Sequence, residues 1–266
     1  MNYSKIPYIH LNDYKTKGNK RVIADKLFLN TRGFFVLKYI QMVFQNRRIA
    51  LKGLYNREKW AVSSYDVFKL IENCGGQFEI TGLENFRNCK EPVVIVSNHM
   101  SAMESMIFPG LIAPFMEVTF VVKESLVTHP LFGPVMRARS PIAVGRSNSR
   151  EDLISVMKQG KEFLENGTSV VIFPQGGRRD IFKPEEFNSL GVKLAKSAGV
   201  KVIPMAIKTD FWGNGKIIRD LGPIRRNKKI FISIEKPIDI TGNGKPENDQ
   251  IIEFIENKLN TWNNLD

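Results

Sequence analysis

The sequence predicts an α/β fold: a largely parallel central sheet flanked by helices, preceded by an N-terminal amphipathic helical hairpin. Three observations predict it. From residue 75 onward, short apolar runs of strand length alternate with longer segments of helical period. Three of those runs stop at polar or glycine-bearing stretches, as strands do at the ligand-binding edge of an open sheet. The chain before them is different in kind, basic and aromatic, so the expected division is residues 1–74, a membrane-associating segment, and residues 75–266, the α/β domain.

In order, residues 1–20 read as polar and irregular, with no apolar core of a signal peptide and a solvated His10. Residues 34–44 are apolar apart from Lys38 and Gln41, and polar residues recur at Gln45, Arg48 and Lys52, giving a helix with a narrow polar stripe. Its uninterrupted part is about 16 Å long and cannot cross a hydrocarbon layer of about 30 Å. It can lie in an interface with Arg47, Arg48, Lys52 and Arg57 on anionic headgroups, or pack on the main domain. A second helix, about 58–73, ends near Gly75-Gly76.

Strands are then expected at 77–81, 92–97, 118–122, 141–144, 168–173, 202–207 and 229–234. Pro204 in the sixth of these argues for an edge or bulge position. Helices are expected at 102–113 and 149–166, the latter stopped by Gly167, and after the 174–180 loop. That third helix should turn Phe187, Leu190, Leu194 and Ala198 inward, and a last one, about 247–262, should bury Ile251, Ile252, Ile255 and Leu259. Pro109, Gly110, Pro114 and Glu117 exclude a membrane span over 106–122.

Of the net charge of +12, residues 1–60 supply +10, from 13 Lys or Arg against 3 Asp or Glu. Basicity confined to an aromatic N-terminal segment suits an anionic membrane surface better than nucleic acid, and no nucleic-acid motif is present. Cys74 and Cys89 form no metal or disulfide spacing, so a reducing compartment is expected, and cysteine catalysis is not.

The chemistry centres on Ser97-Asn98-His99-Met100-Ser101-Ala102-Met103-Glu104, directly after the apolar run 93–96. His99 lies at a strand's carboxyl edge, and Glu104 can hold one ring nitrogen if His99 is in the loop and Glu104 in the first helical turn. Ser101-x-x-Glu104 is equally a capping box, and spacing alone does not choose. Arg146 follows a second strand. Arg178 ends the glycine-bearing loop Pro174-Gln175-Gly176-Gly177-Arg178, where paired guanidinium donors and close backbone approach suit a phosphate.

These blocks resemble, in order and spacing across residues 77–207, those of the glycerolipid acyltransferases, the 1-acylglycerol-3-phosphate and lysophospholipid acyltransferase family. Asn98-His99 with Ser101 and Glu104 is similar to the family's Asn-His-x-Ser-x-x-Asp, with Glu104 in place of Asp. Gly145-Arg146 resembles the second block and Phe173 to Arg178 the third, Phe-Pro-Glu-Gly-Thr-Arg, with Gln175 for Glu and Gly177 for Thr; Val202-Ile203-Pro204 is similar to the fourth.

The resemblance implies acyl transfer from an acyl carrier protein or coenzyme A thioester to a lysolipid hydroxyl in phospholipid biosynthesis, with no metal and no resident cofactor. His99 would be the general base and Glu104 its partner. Arg146 and Arg178, with Lys123, would hold the acceptor phosphate, and Gln175, Gly176 and Gly177 would form the oxyanion or acceptor loop. The expected acceptor is 1-acylglycerol 3-phosphate and the expected place the cytoplasmic face of a membrane, peripheral or monotopic. Another lysolipid, of lipid A or aminolipid type, and a catalytically silent lipid-binding protein of the same fold stay open. A serine hydrolase is excluded, since the chain has no Gly-x-Ser-x-Gly.

Overall fold

An eight-stranded sheet organises the chain, in a computed structural model that describes residues 3–18, 21–29, 31–216 and 218–265. The elements are β1 (Tyr14–Lys15), α1 (Ile23–Leu27), α2 (Gly33–Leu51), α3 (Arg57–Asn73), β2 (Phe78–Thr81), α4 (Glu84–Asn88), β3 (Val94–Ser97), α5 (Met103–Ile112), β4 (Glu117–Lys123), α6 (Glu124–Thr128), α7 (Gly133–Arg137), β5 (Ile142–Val144), α8 (Ser149–Glu165), β6 (Thr168–Ile172), α9 (Leu190–Ala198), β7 (Val202–Lys208), β8 (Ile230–Ile234) and α10 (Lys245–Asn263). Strand order is β1-β2-β8-β7-β3-β6-β4-β5, with antiparallel pairing only at β1–β2 and β7–β8.

Both faces are covered, which is why the central strands read as unbroken apolar runs. Val93 and Ile95 join the core under α3 and α5, while Val94 and Val96 join the core under α8, α9 and α10. Alternate residues of one strand thus supply two cores.

β3, β4, β6 and β7 run parallel, so the ends of β3 and β7 and the loop after β6 meet at one edge. α2 is fixed to this body by one stripe, Phe35, Tyr39 and Val43, of which Phe35 and Tyr39 set their rings edge-on to Trp212. Its Leu37, Phe44 and Leu51 are exposed.

Three expectations need correction. Pro204 lies in β7, at the centre of the sheet and not at an edge or bulge. It is tolerated because its carbonyl, and so its nitrogen, face β8 where that ladder has run out: Glu235 N–H donates to the Pro204 carbonyl at 2.9 Å, one residue beyond β8. The first residues are not all irregular and solvated. Ile6 and Tyr8 are buried, Tyr8 against Tyr14, Tyr65 and Phe68, and β1 adds an edge strand. The helix after the 174–180 loop begins at Leu190, so Phe187 is buried from the preceding turn rather than from a helix.

Candidate active site

β3 ends at Ser97, and the loop that follows is tied across the sheet by Asn98, whose side-chain amide donates to and accepts from the Ile207 backbone, both at 2.9 Å. His99 therefore leaves the strand at a fixed place. Its Nδ1 lies 3.0 Å from Glu104 Oε2, in the first turn of α5.

The capping box is also present. Both Glu104 oxygens accept from Ser101 N–H at 3.0 Å, and Ser101 Oγ accepts from Met103 N–H at 3.1 Å. One fully buried carboxylate closes the helix and holds the imidazole, and the Thr209 hydroxyl donates to its Oε1. A buried carboxylate is tolerable when its lone pairs are met like this. Because a carboxylate only accepts, the ring proton is placed on Nδ1, and Nε2 keeps the free lone pair.

The third loop clamps His99 from behind. Phe173 stacks on the ring at 4.2 Å, Gln175 Oε1 accepts the His99 N–H at 3.1 Å, and Arg179 N–H donates to the His99 carbonyl at 2.8 Å. Gln175 is buried, so its carbonyl serves the loop and not the acceptor. At Gly176, φ is +65°, and its N–H is given to the Phe173 carbonyl at 3.1 Å. Of the two glycine donors expected at this loop, only that of Gly177 has no backbone partner among the described residues.

His99 borders a cavity of about 870 Å³. One arm is apolar, with Trp60, Phe120, Met136, Val144 and Leu153; the opposite wall carries Lys123, Arg146, Arg178 and Arg219. Arg146 sits at φ +62°, which costs a non-glycine residue on the order of 1–3 kcal/mol. Asp152, in the first turn of α8, holds this turn by accepting the Gly145 N–H at 2.9 Å and the Arg146 N–H at 2.8 Å.

Partial burial lowers the Arg146 pKa from its ordinary value, and the nearby positive charges of Arg219 and Arg178 push the same way, against Asp152. A Cβ at Gly177 would come within 3.8 Å of Arg146 Nη1, so the missing side chain leaves that guanidinium room. Arg178 Nη1 lies 2.6 Å from Asp220 Oδ1. Lys123 is exposed at the end of β4 on the same wall. The structure thus brings His99, Lys123, Arg146, Gly176, Gly177 and Arg178 to one cavity, with Glu104 and Gln175 buried behind it.

Four residues were not singled out from the sequence. Thr209 carried a signal, being a polar residue just beyond a strand parallel to β3, at the same carboxyl edge. Asp152, Arg219 and Asp220 carried none, since each reaches the cavity through a turn whose path is set by distant packing. Neither cysteine borders the cavity: burial pushes the Cys74 thiol up to about 12 and raises that of Cys89. Among the described residues no group of His, Cys, Asp and Glu could hold a metal ion.

The acyltransferase family model matches residues 77–208. The 1-acyl-sn-glycerol-3-phosphate acyltransferase of Pseudomonas aeruginosa is 36% identical over 132 residues, 50% of this chain and 49% of that protein. The protein of that name from Borreliella burgdorferi is 26% identical over 68% of this chain and 69% of its own length. A chloroplastic one from Arabidopsis thaliana is 28% identical over 67% of this chain and 46% of its own. The chain spans about half the length of the first of these curated relatives. The crystal structure of the 1-acyl-sn-glycerophosphate acyltransferase PlsC from Thermotoga maritima superposes with a TM-score of 0.60 over 89% of this chain and 97% of that one; at 21% identity this is a likeness of fold.

Proposed function

We propose, from the premise that this chain belongs to the acyltransferase family, that it transfers a fatty acyl group from a thioester to the hydroxyl of a phosphate-bearing lysolipid in phospholipid biosynthesis, with 1-acylglycerol 3-phosphate as the acceptor. The observation that carries this is the His99–Glu104 pair at 3.0 Å, set at a cavity with an apolar arm and a wall of guanidinium groups.

Nε2 of His99 takes the proton of the acceptor hydroxyl as its oxygen bonds to the thioester carbonyl carbon, and Glu104 steadies the imidazolium. The tetrahedral intermediate collapses with breakage of the C–S bond, and the imidazolium returns its proton to the thiolate. The N–H of Gly177 is the donor assigned to the oxyanion, and Arg146 and Arg178, with Lys123, hold the acceptor phosphate. The thioester is that of acyl carrier protein or coenzyme A.

An anionic membrane surface, on the cytoplasmic side, is the proposed workplace. Nine of the fourteen large hydrophobic residues exposed among those described lie between Leu11 and Leu54, in the segment that also carries the basic excess. No helix among the described residues is long and apolar enough to cross a membrane. Replacing Leu37, Phe44 and Leu51 together by Ser is expected to cut co-sedimentation with anionic liposomes several-fold; unchanged binding refutes the surface role of α2.

The activity is tested by incubating acyl-carrier and acyl-coenzyme A thioesters with a lysolipid panel and identifying the diacyl product by mass spectrometry. Acylated 1-acylglycerol 3-phosphate is the expected product. No product from any lysolipid, with liposome binding intact, would replace acyl transfer with the silent lipid-binding alternative.

A further inference from the structure

The connection between β7 and β8 brings two charges to the cavity that direct acyl transfer does not require. Asp220 meets Arg178 at 2.6 Å and is 28% exposed, and Arg219 lines the same wall with its Nη2 donating to the Arg178 carbonyl at 3.1 Å.

Asp220 is not a drifting surface carboxylate. Its backbone carbonyl accepts from Trp212 Nε1 at 3.1 Å, and Trp212 is fully buried against Phe35 and Tyr39 of α2. The turn beside it closes at Gly222, where a Cβ would fall 1.7 Å from the Gly213 carbonyl oxygen. The position of the carboxylate is therefore built from behind.

Its bond to Arg178 is incomplete. The Arg178 side chain is only 15% exposed, and its Nη1, though in ionic contact with Asp220, makes no aligned hydrogen bond among the described residues. Three guanidinium groups on this wall face a single Asp220, while the other carboxylate there, Asp152, is engaged with the Gly145 and Arg146 N–H groups. A carboxylate brings one charge and two oxygens to such a site, whereas a phosphate monoester brings up to two charges and three terminal oxygens.

We infer that Asp220 stands in for the ligand's anion: it holds Arg178 while the site is empty, and the acceptor's phosphate monoester displaces it and gathers Arg146, Arg178 and Arg219. The source of the phosphate rests on the acyl-transfer reading above; the exchange of anions at Arg178 does not. Asp220 then sets a threshold, because a ligand must out-compete a fixed carboxylate to enter, and an acceptor without phosphate cannot.

The test is isothermal titration of the full chain with inorganic phosphate, sn-glycerol 3-phosphate and coenzyme A, for wild type, Asp220→Asn, Asp220→Ala and Arg219→Gln. Removing the carboxylate should tighten inorganic phosphate and glycerol 3-phosphate about three- to tenfold, and Arg219→Gln should weaken both by about the same factor. Damage to folding does not produce a gain in affinity. Unchanged or weaker phosphate binding in both Asp220 variants, or no phosphate binding in any of the four proteins, overturns the inference; tightening confined to coenzyme A overturns the assignment to the acceptor. Acyl transfer is measured on the same samples, as KM for the acceptor against kcat, with KM expected to fall in Asp220→Asn. Tightened phosphate binding in a protein that acylates nothing leaves Asp220's role standing and removes the acyl-transfer reading; transfer with phosphate binding indifferent to Asp220 does the reverse.

Discussion

The two ends of the cavity are built on opposite principles. At the His99 end every partner is supplied by the protein: Ser101, Thr209 and the imidazole meet the Glu104 oxygens, and Gln175 and Arg179 hold both backbone groups of His99. At the Arg146 end like charges share a wall, one of them in a left-handed backbone conformation and another in an incomplete ion pair. A base must be in place before the substrate arrives, so it is satisfied in advance; an anion site can leave its charge for the ligand to neutralise.

Substitutions that separate the two ends sharpen this contrast. His99→Ala should have the largest effect, lowering acceptor-dependent acyl transfer by about 10²–10⁴-fold, with the thermal midpoint little changed. A loss under tenfold removes His99 as the base. Glu104→Gln should lower kcat by about 10²-fold and also destabilise the fold by about 1–3 kcal/mol, since it disturbs a buried network; denaturant titration beside kinetics reads both.

At the other end the expected signature is in binding. Arg178→Gln should raise the acceptor KM by about 10–100-fold with a smaller change in kcat. A fall in kcat alone would place Arg178 with the base and erase the distinction. Thr209→Val should be mildest, lowering kcat about three- to tenfold by freeing one Glu104 oxygen, while leaving acceptor KM within about twofold.

How much of this was legible in the sequence depended on the range of the interactions. The strands were legible because burial on both faces makes them continuous apolar runs, and residues 97–104 were legible because polar residues following such a run mark the active edge. Spacing left His99–Glu104 and the capping box as rivals, and the structure shows one carboxylate with enough acceptor sites for both. Pro204 misled because its missing donor matters only on the side where a neighbouring strand continues, and β8 stops short of it. Tyr8 and β1 were hidden because their partners lie more than fifty residues away. Gln175 was read as facing substrate, whereas its side chain turns inward to the His99 backbone, a direction no local pattern encodes. Arg219 and Asp220 are placed by Trp212 and a glycine-closed turn, again at long range.

Direct transfer by a preformed base to a phosphate-bearing acceptor is tested most directly by single-turnover thiol release. Wild type and His99→Ala are each mixed with an acyl thioester, alone, with 1-acylglycerol 3-phosphate, and with a monoacylglycerol of the same chain. The expected result is rapid release only in the wild type and only with the phosphate-bearing acceptor. Release without any acceptor, or equal release from His99→Ala, would contradict it.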